Sequence, residues 1–197
     1  MPLPTAPILV RMDSANLTNH LLIAMPNLRD PNFEHTVTYI CEHNENGAMG
    51  IVINRPIDIN IGEVFEQMEI PVSTPELAKA PVFLGGPVEE QRGFVLHTGD
   101  AKWESSLRIN DQISVTTSRD ILEAMAHGEG PQQALIALGY AGWGGGQLER
   151  EILDNAWLSV PAEQAILFEL PPARRWEAAA KLLGVDLNVL STESGHA

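Results

Sequence analysis

Residues that could bind a ligand are concentrated in the glycine-rich segment Gly142–Gln147 (GWGGGQ), which has the composition of a turn between a strand and a helix. Backbone amides at such a junction often hold an anion. We therefore take Trp143, Gly144, Gly145 and Gln147 as candidate ligand-binding residues. Two nucleotide motifs are absent from the sequence, since no Gly-Lys-Ser/Thr follows and a dinucleotide fingerprint would need a last glycine at position 147.

A simpler interpretation of the same segment is a tight turn in which glycines avoid steric strain and Trp143 packs on the core. Glu149 and Glu151, in the first turn of the predicted helix, already occupy the electrostatic position that an anion would take. A pocket for a small molecule beside Trp143 and Gln147 is the alternative.

Two further candidate sites lie in turns. Asn54 and Arg55 end a predicted strand, and the guanidinium of Arg55 can bind a carboxylate or phosphate with two parallel hydrogen bonds. A structural ion pair with Asp58 or Glu63 is the competing interpretation. Gly86, in a Gly-Gly-Pro turn, is added as a backbone that a ligand could approach.

Histidine and cysteine offer little chemistry in this sequence. His97, at the end of a predicted strand, is the histidine that we single out as an acid or base, with a buried structural role as the alternative. The spacing of the six histidines fits no metal motif, and the single cysteine, Cys41, lies in an apolar strand where a thiol is usually inert. No nucleophile elbow occurs. We therefore predict no catalytic residues, no metal site and no cofactor.

The elements that must position these residues mix strands with helices. Residues 35–54 predict a β-hairpin around an Asn-Gly turn. Asn60 and Glu63 form a capping-box pattern before a helix with one apolar face. Further strands are predicted at 20–25, 82–84, 93–98, 112–116 and 133–141, and further helices after Ser118, over 147–155 and after Pro172. This order favours an α/β (α+β) fold with a mixed β-sheet, hairpins and flanking helices.

Composition limits the classes of protein. The 197 residues are 44% hydrophobic, enough for one domain, which we place at residues 19–190 between a loosely ordered extension at 1–18 and a tail at 191–197. One cysteine excludes an internal disulfide, and neither a signal peptide nor a membrane span is evident, which indicates the cytoplasm. Twelve Lys and Arg against 26 Asp and Glu give a net charge of −14, which disfavours direct nucleic-acid binding.

Several motifs resemble the bacterial YqgE/AlgH family. They are LLIAMPNLRDPNFEHTVTYICEHNENGAMGIVINRP at 21–56, VFLGGPVEEQRGFVLHTGD at 82–100, ALGYAGWGGGQLEREILDNAWL at 137–158, RRWEAAAKLLGVD at 174–186 and GHA at 195–197. The resemblance implies a single α/β domain on a mixed sheet, and the AlgH name implies a regulator of alginate gene expression. It supplies no catalytic residues, and the predicted helix after Ser118 is followed by a strand rather than by a recognition helix.

The leading hypothesis is a non-enzymatic cytoplasmic regulator that binds a protein partner or a small ligand and does not bind DNA directly. The alternative is a sensor or enzyme whose pocket is formed by Arg55, His97, Trp143 and Gln147. It predicts that Arg55→Ala and Trp143→Ala keep the fold and lose a ligand response. A structural subunit of a larger assembly is a third hypothesis.

Overall fold

The structure, a computed structural model, describes residues 16–189, so the tail predicted at 191–197 and residues 1–15 of the predicted extension lie outside the described residues. Within them the strands are β1 (His20–Ala24), β2 (Val37–Asn44), β3 (Gly47–Val52), β4 (Pro56–Asn60), β5 (Pro81–Leu84), β6 (Val88–Thr98), β7 (Ser106–Arg108), β8 (Ile113–Thr116), β9 (Ala134–Gly144) and β10 (Trp157–Pro161). The helices are α1 (Ile61–Gln67), α2 (Pro75–Ala78), α3 (Arg119–Ala126), α4 (Gln147–Leu153) and α5 (Pro172–Lys181), with a π-helical turn at Ala165–Glu169.

The strands form one mixed sheet in the order β10-β1-β2-β3-β9-β6-β8-β7, curled into a half-barrel of mostly antiparallel strands. β5 adds the parallel pairing, running beside β9, and β4 pairs with β5. The predicted fold class, a mixed sheet with hairpins and flanking helices, is confirmed.

Local sequence signals place two of these elements correctly. The predicted hairpin is β2 and β3, joined at the Asn44–Gly47 pair. The predicted capping box starts α1: Asn60 Oδ1 accepts from Glu63 N at 2.9 Å, and Glu63 Oε2 accepts from Asn60 N at 2.7 Å. Both signals act within four consecutive residues, which is why they can be read without tertiary structure.

Three short strands are not predicted from the sequence: β4, β7 and β10. β4 and β10 pair with strands distant in the chain, as when β10 pairs antiparallel with β1 from His20 to Ala24, and β7 pairs with the following strand, β8, at the edge of the sheet. β9 also extends past the predicted end at Ala141 to Gly144, because Gly144 pairs with Gly47 of the hairpin.

Alternate side chains of the sheet enter different cores, as the two-residue period of a strand requires. Leu21 and Ile23 of β1 pack in a core covered by α5 and the π-helical turn. Leu22 and Ala24 point the other way, into a core with α4. At the far end of that second face, α1 and α3 cover a third core around Phe65 and Ile121.

Arg175 connects helix α5 to the sheet through hydrogen bonds, and its side chain is only 5% exposed. Its Nη1 donates to the carbonyl oxygen of Ile53, its Nε donates to that of Leu170 at 3.1 Å, and the guanidinium lies 5.2 Å from the ring centre of Phe83. Burial lowers the pKa of the Arg175 guanidinium to about 10, so it stays charged at neutral pH. Arg175 is therefore a structural cation inside the domain.

Candidate functional site

The glycine-rich segment packs against the turn of the β2–β3 hairpin. A Cβ at Gly47 would lie 2.1 Å from the carbonyl oxygen of Trp143, and a Cβ at Gly145 would lie 2.7 Å from that of Glu45. Gln147 Oε1 already accepts from the amide of Gly144 at 3.0 Å. The glycines thus allow two backbones to approach closely, and the Gly144 amide is used within the chain.

Trp143 lies in an aromatic cluster at the start of this segment. Its ring stacks with Phe33 at 6.1 Å and meets Trp157 edge-on at 6.1 Å, and its side chain belongs to the core beneath α4. Glu151 Oε1 accepts from both indole nitrogens, at 3.2 Å from Trp143 and 3.0 Å from Trp157. Gln147 Nε2 donates to the other oxygen of Glu151 at 2.9 Å, which orients that carboxylate.

Asn54 and Arg55 hold the loop that carries Phe33. Arg55 donates to the carbonyl oxygens of Asn32 at 2.7 Å and Glu34 at 2.9 Å. Asn54 accepts from the amide of Val37 at 2.9 Å, and its Nδ2 donates to the carbonyl of His35 at 2.9 Å. The partners of Arg55 that the structure shows are backbone carbonyls, where the sequence suggested Asp58 or Glu63.

His97 is fully buried and both of its ring nitrogens have partners. Nδ1 lies 3.0 Å from the carbonyl oxygen of Thr98, which can only accept, so Nδ1 carries the proton. Nε2 lies 2.7 Å from Thr116 Oγ1, which in turn lies 2.7 Å from Ser106 Oγ. Desolvation by burial lowers the pKa of His97 below its ordinary value of 6.5, despite the opposing effect of the Thr98 carbonyl.

This lowered pKa predicts a loss of stability in acid. Above about pH 6.5 the ring is neutral in both states, whereas at lower pH the unfolded chain takes up a proton that the folded chain resists. The His97 contribution is therefore fully present above the unfolded pKa and is lost as pH falls toward the folded one. We expect wild type to lose up to about 1.4 kcal/mol per pH unit more than His97→Gln between these values, measured by urea unfolding. The exposed His127→Gln variant is the control, and an equal acid loss in wild type and His97→Gln would contradict the assignment.

The predicted site residues occupy three places. Arg55 and Trp143 both contact the Asn32–Glu34 loop. Gly86 packs directly against β9, where a Cβ on this residue would lie 2.1 Å from the carbonyl carbon of Tyr140. His97 is opposite Ala134 at the far end of β9, nine residues from Trp143 (143 − 134). At about 3.3 Å per residue that is roughly 25–30 Å, so these residues do not line one pocket.

A partly open, largely apolar cavity of about 630 Å³ lies between α1, α3 and the sheet. The apolar lining side chains are Ile59, Val64, Met68, Phe94, Val95, Leu122, Ile136 and Leu138. The polar and charged lining residues are Gln67, Glu90, Gln91, Thr116, Thr117, Ser118 and Arg119. Its volume is in the usual range of ligand pockets, roughly 300–1,000 Å³.

The cavity exists because β6 bulges away from β9. Val88 pairs with Tyr140 and Gly93 with Leu138, so four residues of β6, 89–92, stand opposite the single residue Gly139. A Cβ on Gly93 would meet nothing within 4 Å, and this glycine lines the cavity. Arg119, at the start of α3, spans the two helices by donating from Nη2 to the Met68 carbonyl at 2.7 Å.

Sequence reasoning missed this cavity. Val64, Met68 and Leu122 are visible in the sequence as apolar faces of helices, and a residue that lines a cavity has the same pattern as one in a packed core. The only local signal is Gly93 inside a strand, which indicates a bulge or close approach.

Other types of site find no support in residues 16–189. No group of three or more His, Cys, Asp or Glu side chains there is placed to hold a metal ion. Cys41 is buried, and burial raises the pKa of its thiol, so the nucleophilic thiolate is disfavoured. No helix in this part of the chain is long and apolar enough to cross a membrane.

Comparison with known proteins places the chain in one group. A family model described as AlgH-like matches residues 21–188. A UPF0301 protein of Thioalkalivibrio sulfidiphilus is 61% identical over 184 residues, covering 93% of this chain and 98% of that protein. A UPF0301 protein of Methylococcus capsulatus is 55% identical over 180 residues, covering 91% and 96%. The solution structure of the AlgH protein from Pseudomonas aeruginosa, 50% identical, superposes with a TM-score of 0.76 and covers 93% of this chain and 97% of that one.

Proposed function

Because the chain belongs to the AlgH-like family, we propose that it is a non-enzymatic regulatory protein that binds a small, mainly apolar ligand in the cavity between α1 and α3. The observation that carries this proposal is the cavity itself. It is enclosed on one side by Val95 and Ile136 of the sheet and on the other by Val64 and Leu122 of the helices. A largely apolar surface of this size favours an apolar ligand through the hydrophobic effect.

The polar groups at the cavity limit the chemistry of the ligand. Gln67, Gln91 and Thr117 can make neutral hydrogen bonds to one polar end. The guanidinium of Arg119 is partly engaged already, because its Nε donates to Glu123 at 2.8 Å and its Nη2 to Met68. A strongly charged ligand such as a nucleotide is therefore a poorer fit than a small molecule with an apolar body and a single polar group.

A catalytic role has less support than binding. Among residues 16–189, His97 is buried with both nitrogens engaged and the Cys41 thiol is buried. Arg55, His97 and the glycine-rich segment lie apart, so a pocket built from them is not favoured. Any effect on transcription would then act through a ligand or a protein partner, since a net charge of −14 repels DNA phosphates.

The test is thermal unfolding of the full chain against medium-chain fatty acids, indole and aromatic carboxylates, with nucleotides, phosphorylated metabolites and amino acids as comparison sets. A ligand at a hundred times its dissociation constant adds about 2.7 kcal/mol of stability. For a domain of this size that raises the unfolding midpoint by roughly 5–10 °C.

Matched variants locate the response. Leu122→Trp fills the cavity, and we expect it to abolish the shift while circular dichroism shows the fold retained. Leu153→Trp makes the same substitution at a residue that is 64% exposed on α4, and we expect the wild-type shift there. A shift that persists in Leu122→Trp, or no shift with any apolar compound, would overturn the proposal.

A further inference from the structure

A second concavity opens at one end of the half-barrel, on the other side of the β6 bulge from the cavity. We call it the mouth groove; it measures about 680 Å³ and is shallower than the cavity. One wall is the β2–β3 hairpin, the other is the start of β6, and the floor is apolar. Its residues are Glu42, Asn44 and Asn46 on the hairpin, Val88 and Arg92 on β6, and Met49, Phe94 and Tyr140 on the floor, with Gly47, Ala48, Gly142 and Trp143 completing the lining.

An aromatic pair lies at the floor of the mouth groove, where Phe94 is 4% exposed with Arg92 over its ring. Phe94 and Tyr140 meet edge to face with ring centres 5.7 Å apart. The guanidinium carbon of Arg92 lies 5.4 Å from the centre of the Phe94 ring, a cation–π distance. The chain thus places one of its own arginine side chains on the aromatic surface of the groove.

Arg92 is held there weakly. Its Nη1 lies 3.3 Å from Glu89 Oε2, and the two side chains are 54% and 53% exposed. Exposed ion pairs of this kind contribute little to stability. A competing guanidinium from another molecule can therefore replace Arg92 on Phe94 with little loss to the fold.

Charge around the mouth groove favours a cationic occupant. Glu42 and Arg92 line the groove itself, and Glu45 and Glu89 on the same two wall segments add two further carboxylates, whereas Glu90 lines the cavity. The whole chain carries a net charge of −14. Complementary fields raise the encounter rate with a basic partner and suppress binding of acidic ones.

From these observations we propose that the mouth groove binds a basic segment of a partner protein, whose arginine side chain takes the place of Arg92 on the Phe94 ring between Glu42 and Glu89. Arg92 occupies the groove in the free protein and competes with the partner. The proposal does not rest on ligand binding in the cavity, although Phe94 belongs to the lining of both concavities.

The probe is a fluorescein-labelled peptide of alternating arginine and glycine, measured by fluorescence anisotropy with the full-length chain. The same peptide with glutamate in place of arginine is the first control, and a labelled DNA duplex is the second. We expect the arginine peptide to bind, to weaken between about 50 and about 300 mM NaCl, and to be the only one of the three that binds.

Pairs of variants that change the net charge equally distinguish binding at the groove from nonspecific attraction by the acidic protein as a whole. Arg92→Ala is expected to tighten the peptide at least about threefold, because it frees the Phe94 ring and removes a like charge. Arg174→Ala removes an exposed cation on α5 and is expected to change affinity less than about twofold. Glu42→Gln should weaken binding at least about threefold, whereas the exposed Glu177→Gln on α5 should not.

Three outcomes would overturn the proposal. The first is equal effects of the groove and α5 variants, which would show nonspecific attraction by net charge. The second is binding of the glutamate peptide or the DNA duplex as tight as that of the arginine peptide. The third is the absence of arginine-peptide binding to both wild type and Arg92→Ala at low salt.

Discussion

Replacing Trp143 with alanine is expected to lower the free energy of unfolding by about 3–5 kcal/mol, the range for a large aromatic residue removed from a core. Trp143 is 6% exposed and contacts Phe33 and Trp157 through its ring. Its loss also leaves Glu151 with one indole donor where it has two. Urea or thermal unfolding measures the change directly.

The Trp143 result affects how ligand assays are designed. The alternative hypothesis of a sensor or enzyme predicts that Trp143→Ala keeps its fold and loses a ligand response, whereas the aromatic cluster predicts that the variant is destabilised, in line with the interpretation that Trp143 packs on the core. Leu153→Ala, at a residue 64% exposed on α4, is the control and should change stability by less than about 0.5 kcal/mol. A Trp143→Ala variant that unfolds within about 1 kcal/mol of wild type would contradict the structural role.

Replacing Arg175 with methionine is expected to destabilise the domain by about 2–4 kcal/mol. The substitution keeps much of the side-chain volume but removes the donor to the buried carbonyl oxygen of Ile53 and the donor to the partly buried carbonyl oxygen of Leu170. It also removes the cation packed on Phe83. Arg175→Lys keeps the charge but lacks the planar fork that reaches both carbonyls, so we expect an intermediate loss.

Arg174→Met is the matched control, because it makes the same substitution one residue earlier at an exposed position of α5. We expect a change of less than about 0.5 kcal/mol there, as for most surface substitutions. Equal losses at 174 and 175 would show that helix propensity or net charge, and not the buried contacts of Arg175, determines the effect.

The same adjacent pair shows where sequence reasoning stops. The sequence places Arg174 and Arg175 side by side on the helix predicted after Pro172, and no local pattern distinguishes them. The structure separates them, because successive residues of a helix point about 100° apart and only Arg175 faces the sheet. Which of the two is buried depends on the direction in which α5 packs, and that direction is not encoded locally.

In the candidate site, too, local sequence patterns predict some features and tertiary packing determines the others. The turn predicted for the glycine-rich segment is confined to Gly145 and Gly146, because Gly142 and Gly144 belong to β9, and the close approach of Gly145 to Glu45 requires the hairpin to be in place. The hydrogen bonds of Arg55 go to backbone carbonyls that no side-chain pattern reveals. The separation of His97 from Trp143 follows from the register of β9 against β6 and β3.

The sequence by itself determined the features that depend on neighbouring residues or on totals: the β2–β3 hairpin, the capping box of α1, the mixed α/β class, the net charge of −14 and the family resemblance. The tertiary structure alone decided that Arg175 is buried, that three indole and phenyl rings meet around Phe33, and that β6 bulges to leave a cavity beside α1 and α3. The physical reason is the distance along the chain over which each interaction acts. Turn and cap energies arise within a few residues, whereas a cavity or a buried charge depends on how distant strands and helices fit together.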